Sequence, residues 1–70
     1  MTTYKVIVRD RESGVEEYID NLTREQAEKE ALTRAGDAGK QVYVSWVDSD
    51  GKNGYLNREG PTADCPGEPW

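Results

Sequence analysis

Gln41-Val42-Tyr43-Val44-Ser45-Trp46-Val47-Asp48 is the most strongly strand-forming run in the chain, and the fold reads outward from it. Side chains alternate across a strand, so Val42, Val44 and Trp46 share one face while Tyr43, Ser45 and Val47 share the other. β-Branched and aromatic residues suit a pleated, packed surface. Both faces carry large apolar groups, which predicts a central strand. One face meets a helix. The other is covered by a further segment or used for binding.

Upstream, Tyr4 to Asp10 alternates in the same way, with Tyr4, Val6 and Val8 opposed to Lys5, Ile7 and Arg9. The polar turn Arg11-Glu12-Ser13-Gly14 leads into a second strand, Val15 to Asp20. Its acidic side chains mark an edge, where charge discourages sheet-to-sheet pairing. Alternation separates Val15, Glu17 and Ile19 from Glu16, Tyr18 and Asp20, and leaves open which way Tyr18 points. Thr23 followed three residues later by Gln26 is a capping box and starts a helix. Glu25 in its first turn suits the helix dipole. Ala27, Ala31 and Ala35, with Leu32 beside them, form a narrow stripe that permits close approach to a sheet. Leu22 is placed to staple onto the first turn. Glu25–Lys29 and Glu30–Arg34 are exposed pairs at a favourable spacing. Gly36 or Gly39 is expected to end the helix in a left-handed conformation.

Beyond the central strand, Asp50-Gly51 and Asn53-Gly54 read as turn dipeptides. Tyr55-Leu56-Asn57 returns as a fourth strand. The order β-β-α-β-β predicts an α+β fold, a four-stranded antiparallel sheet with one helix on one face. Strand order 2-1-3-4 makes every neighbour antiparallel, and other orders still keep the helix on one face. Residues 1–57 form the compact domain and residues 58–70 a Pro/Gly-rich, irregular C-terminal arm. Trp70 is either on a free tail or packed, and a lean core has reason to recruit an indole. The expected position is the open sheet face, near some of Ile7, Tyr43, Val47 and Tyr55.

Seventy residues make one small domain, with 34% hydrophobic and 33% charged residues and no Phe. A domain of this size buries only about 60% of its unfolded surface. No apolar run is long enough to cross a membrane, and the first residues lack the apolar core of a signal peptide, so a cytoplasmic location is expected. Cys65 is the only cysteine, which excludes an internal disulfide and reads as an inert tail thiol. The chain has no His, which removes Cys–His pairs, Ser–His–Asp triads and His-containing zinc sites. Asn21-Leu22-Thr23 matches a glycosylation pattern that has no meaning without secretion. A net charge of −5 opposes ordinary duplex DNA binding and suits a protein partner with a basic surface.

Three constellations remain. The Asp48–Gly54 loop carries Asp48 and Asp50 at calcium-loop spacing, with Glu59 twelfth, but Lys52 takes a ligand position and Asn53 replaces the required Gly. A hairpin turn explains the same residues, and no metal or cofactor is expected. Asp10, Glu12, Glu16, Glu17 and Asp20 form an acidic cluster around the first hairpin, a solvated edge or a patch for a basic partner. Arg9, Arg11 and Arg24 blunt it if they lie nearby. Tyr18, Tyr43, Tyr55, Trp46 and Trp70 are the recognition candidates, because Tyr and Trp dominate binding hot spots. The alternation of Trp46 with Val42 and Val44 assigns it to the core. No phosphate loop or activated nucleophile appears, so no enzyme activity is expected.

These features describe a small acidic, non-catalytic protein-binding module, a monomer or weak homodimer. Its expected contact residues are Tyr18, Tyr43, Tyr55, Asp48, Asp50, Glu16 and Glu17. A single-stranded nucleic-acid-binding module, stacking bases on the aromatics, is the alternative, as is a small regulatory or structural subunit. A short, acidic β-β-α-β-β chain without catalytic residues resembles small phage and mobile-element proteins, including anti-CRISPR inhibitors. The resemblance lies in the architecture of residues 4–57. It implies an inhibitor that occludes a surface of a host complex.

Overall fold

The fold, a computed structural model, is described for residues 1–62 and 69–70. Its elements are β1 (Thr3–Asp10), β2 (Glu16–Leu22), α1 (Arg24–Ala35), β3 (Lys40–Val47), β4 (Asn53–Asn57) and β5 (Gly60–Thr62). The strands form one antiparallel sheet in the order β2-β1-β3-β4-β5. The first four strands therefore take the order 2-1-3-4 that antiparallel pairing predicts. The fold is α+β, with α1 crossing one face and packing on β1, β2 and β3.

The core is what the alternation dictates. Val6 lies opposite Val44, and Val8 opposite Val42, across the β1–β3 pair. These four, with Leu56, Ala27 and Ala31, are the buried apolar residues among those described. Ala27 and Ala31 are wholly excluded from solvent, so the helix axis comes close to the sheet with no side chain to hold it off. Each buried valine or leucine contributes about 1.5–3 kcal/mol relative to exposure. Tyr4, Ile19, Leu22, Ala35, Trp46 and Trp70 pack around this centre. Leu32 does not join it, and is 57% exposed. One residue advances a helix by about 100°, which turns Leu32 off the alanine stripe.

α1 starts as expected. The Thr23 hydroxyl oxygen accepts from the Gln26 N–H at 3.2 Å, and the Gln26 side-chain oxygen accepts from the Thr23 N–H at 3.0 Å. Arg24–Glu28 and Arg34–Glu30 form exposed i,i+4 pairs. The end of the helix differs from the expected left-handed cap. Gly36 has φ −67° and ψ −16°, a right-handed conformation. Asp37 performs the turn instead. Its backbone N–H donates to the Arg34 carbonyl, its own carbonyl accepts from Lys40 N–H, and its carboxylate accepts from Gly39 N–H at 2.9 Å.

Two further expectations are corrected. Asn53-Gly54 is not a turn: Asn53 pairs with Val47 and Gly54 with Trp46, inside β4. The connection closes one step earlier, where Gly51 takes φ +84° and its N–H donates to the Asp48 carbonyl. With that turn in place the chain needs no second one, and Gly54 sits buried beside the Trp46 strand position. The arm is also not irregular from its start. After an Arg58-Glu59 turn, Gly60–Thr62 adds β5 to the sheet, with Pro61 opposite Leu56. Proline is tolerated there because the strand is at an edge.

Trp70 is packed, but on the helix side of the sheet rather than on the open face. Its backbone N–H donates to the Val42 carbonyl at 2.7 Å, and its indole N–H donates to the Leu56 carbonyl at 2.7 Å. Of the helix, only Ala27 and Ala31 are fully buried, so on that side an indole adds apolar surface to a lean core. Cys65 lies outside the described residues.

At the other edge, β1 and β2 keep register from Arg9–Glu16 to Val6–Ile19, then shift, so that Tyr4 faces Leu22. Lys5 thus opposes both Asp20 and Asn21, a β-bulge in which Asn21 takes φ +59°.

Candidate functional site: the tyrosine face of the sheet

The core takes Val6, Val8, Val42, Val44 and Leu56, so their strand neighbours turn the opposite way. Register then assembles this second face. Ile7 lies between Tyr18 on β2 and Tyr43 on β3. One step along, Ser45 lies between Lys5 and Tyr55. Arg9 lies between Glu16 and Gln41, and Thr3, Val47 and Asn53 form the row at the far end. Among the described residues no element packs on this face.

Tyr18, Tyr43 and Tyr55, from three different strands, therefore meet on one surface. The sequence leaves the direction of Tyr18 open; pairing with Ile7 puts it here, 53% exposed. Tyr43 and Tyr55 contact edge to face, with ring centres 6.5 Å apart and planes at 78°. Such a pair adds about 0.5–1.5 kcal/mol beyond its buried area and holds both rings in place. The Lys5 ammonium sits 5.2 Å from the centre of the Tyr18 ring, a cation–π contact. The Tyr18 hydroxyl donates to Glu16 at 2.9 Å, and that carboxylate raises the phenol above its ordinary pKa.

The face is dished. A hollow of about 320 Å³ is bounded by Lys5, Asp20, Ser45, Val47 and Tyr55. A second, of about 170 Å³, lies between Ile7, Arg9, Glu16, Tyr43 and Tyr55. Tyr55 is common to both. Lys5 and Arg9 on β1 are balanced by Glu16 and Asp20 on β2, so the face is electrically neutral in a chain of net charge −5. Rings, hydroxyls and apolar hollows on a rigid neutral sheet suit adhesion to another surface. Lys5, Ile7 and Arg9 belong to this face and were not among the expected contact residues, although the alternation of β1 already set them opposite Val6 and Val8.

The acidic candidates divide. Glu16 stands on the tyrosine face. Glu17 pairs with Val8 and points to the helix side, at the exposed edge. Asp48 and Asp50 lie in the β3–β4 turn, at the end of the face rather than on it. The Asp48 carboxylate accepts from Ser49 N–H at 2.7 Å and lies 3.9 Å from the terminal amine of Met1. It thus stabilises the turn. Asp50 is exposed beside Gly51. Asp10 is committed to structure: Ser13 N–H, the Lys40 ammonium and Glu12 N–H hold its carboxyl far below the usual range. Among the described residues, no group of three or more His, Cys, Asp or Glu converges to hold a metal. Nor is any helix among them long and apolar enough to cross a membrane.

Comparison with known protein families, curated proteins and solved structures returned no match to this chain.

Proposed function

We propose that the chain is a non-catalytic protein-binding module that docks through Tyr18, Tyr43, Tyr55 and Ile7. One observation carries this reading: three tyrosines from three strands stand together on a sheet face that no described element covers. Tyrosine gives large contact area for little side-chain entropy, and is enriched in binding hot spots. A neutral contact face inside an acidic molecule fits a basic partner: the overall field speeds encounter, while the face itself carries no unpaired charge into the interface. Both sheet edges are guarded, β2 by Glu16, Glu17 and Asp20 and β5 by its three-residue length and Pro61, which favours the face over the edges. The resemblance to small mobile-element proteins makes the module an inhibitor, acting in the cytoplasm by covering a surface of a host complex.

The test is affinity capture from a host lysate with and without nuclease, comparing the wild-type chain with a Tyr18→Ala/Tyr55→Ala variant shown to be folded by circular dichroism. A stoichiometric protein that survives nuclease and is lost with the variant is the expected result. Recovery of nucleic acid, or of proteins released by nuclease, overturns it in favour of base stacking on the same rings. Capture that the variant retains moves the contact away from this face.

A further inference from the structure

β3 runs from Lys40 to Val47, yet β4 pairs with it only over Ser45–Val47. The first half of β3 is left with an edge that β4 does not use. Trp70 fills this place: its backbone N–H donates to the Val42 carbonyl, as an added strand would. Its ring sits half-buried against the core formed with Val42, Val44 and Leu56. The indole N–H is satisfied by the Leu56 carbonyl, and the Arg58 guanidinium donates to the Trp70 carbonyl oxygen. A backbone acceptor, an apolar floor, an acceptor for the indole and a cation for the carbonyl thus converge on a single residue.

We propose that this socket is a recognition site for a tryptophan in an extended segment, with Trp70 as its intramolecular occupant. The occupant in trans is a partner peptide bearing the same Pro-Trp chemistry as Pro69–Trp70. None of the four contacts depends on the chain connection, so a free segment can make them all. A short tether supplies a linked segment at an effective concentration of about millimolar. An outside segment therefore competes when it is at or above that level, or when it makes contacts elsewhere on the molecule. The socket is on the opposite side of the sheet from the tyrosine face.

The experiment uses the full-length chain and an acetylated Pro-Trp peptide, with Pro-Ala as control. In the wild type, addition of Pro-Trp at several millimolar shifts the Trp70 indole N–H resonance towards its solvent-exposed position, while the Trp46 indole signal stays. In Trp70→Ala the socket is empty, and Pro-Trp raises the melting midpoint in a saturable way that Arg58→Ala weakens several-fold. If Trp70→Ala is unfolded on its own, Pro-Trp restores its circular dichroism. A Trp70 resonance that does not move in the wild type, together with no effect of Pro-Trp on the variant, overturns the proposal. An equal response to Pro-Ala does so as well.

Discussion

The Asp10 carboxylate lies 3.0 Å from the Lys40 ammonium, and that contact joins the last residue of β1 to the first residue of β3. The same carboxylate caps the following turn through Glu12 and Ser13 N–H. Arg11 adds to the junction, its backbone N–H donating to the Gly39 carbonyl and its guanidinium to the Lys40 carbonyl. The strand pair at the centre of the sheet is thus fixed at this end by one acidic side chain and the turn it organises.

Asp10 titrates below the usual carboxylate range in the folded chain, so the unfolded chain binds its proton more readily. Its contribution is therefore present above the ordinary carboxylate pKa of about 3.9, and is lost as pH falls through that value towards the folded one. Asp10→Asn keeps an oxygen for the turn but removes the charge; Asp10→Ala removes both. The expected order of stability at pH 7 is wild type, then Asn, then Ala. Urea melts from pH 7 to pH 2 check this, with the gap between wild type and Asp10→Asn closing at the acid end.

Leu56 is among the largest fully buried side chains, on a strand of only five residues. Leu56→Ala is expected to cost about 2–5 kcal/mol. A chain of this length has a total of roughly 4–10 kcal/mol to lose. The urea midpoint should fall steeply, and the variant is expected to be partly unfolded at 37 °C.

Ala31 and Leu32 are neighbours with opposite sensitivities. Ala31→Leu forces the helix off the sheet and is expected to cost about 1–3 kcal/mol. Leu32→Ala, on the exposed side, should change stability by no more than about 0.5 kcal/mol. A result in which Leu32→Ala is the more damaging would contradict the packing described.

Glu16→Gln removes the carboxylate that holds the Tyr18 phenol above its ordinary pKa. The Tyr18 ionisation, followed by NMR of its ring carbon against pH, should move down towards about 10. Since the folded-state pKa is raised, this hydrogen bond adds stability below the unfolded value and loses it as pH rises through the folded one. Its effect at pH 7 is therefore fully present.

Much of this fold is visible in the sequence, because its decisions are local or periodic. The alternations of β1 and β3 and the Thr23–Gln26 box each state their role within a few residues. What was not visible depended on register. Asn53-Gly54 has turn chemistry, but pairing of β4 with β3 absorbed it into a strand, and Asp50-Gly51 took the turn alone. Tyr18 had two possible directions until Ile7 became its neighbour. β5 carries only three residues with a proline, too short for any pattern to declare. Trp70 gave a reason to pack but no direction, because a single indole has no period. The candidate face followed the same rule: its tyrosines could be nominated one by one, while Lys5, Ile7 and Arg9 joined them only through pairing.

The bulge at Asp20–Asn21 has a consequence for which changes this chain tolerates. In an unbroken alternation of the same residues, Leu22 would continue the series of Glu16, Tyr18 and Asp20 and point away from the core. The bulge shifts the phase of the strand by one, so that Leu22 reaches the helix side just as Thr23 opens α1. Asn21→Gly, which suits the positive φ, should be neutral or mildly stabilising, and Asn21→Val should cost about 1–2 kcal/mol. Deleting Asn21 would instead leave Asp20 alone opposite Lys5 and Leu22 still opposite Tyr4, a regular ladder with the strand-to-helix junction in place. Relatives of this chain would thus be free to omit this residue, but not to replace it with a side chain that resists the positive φ.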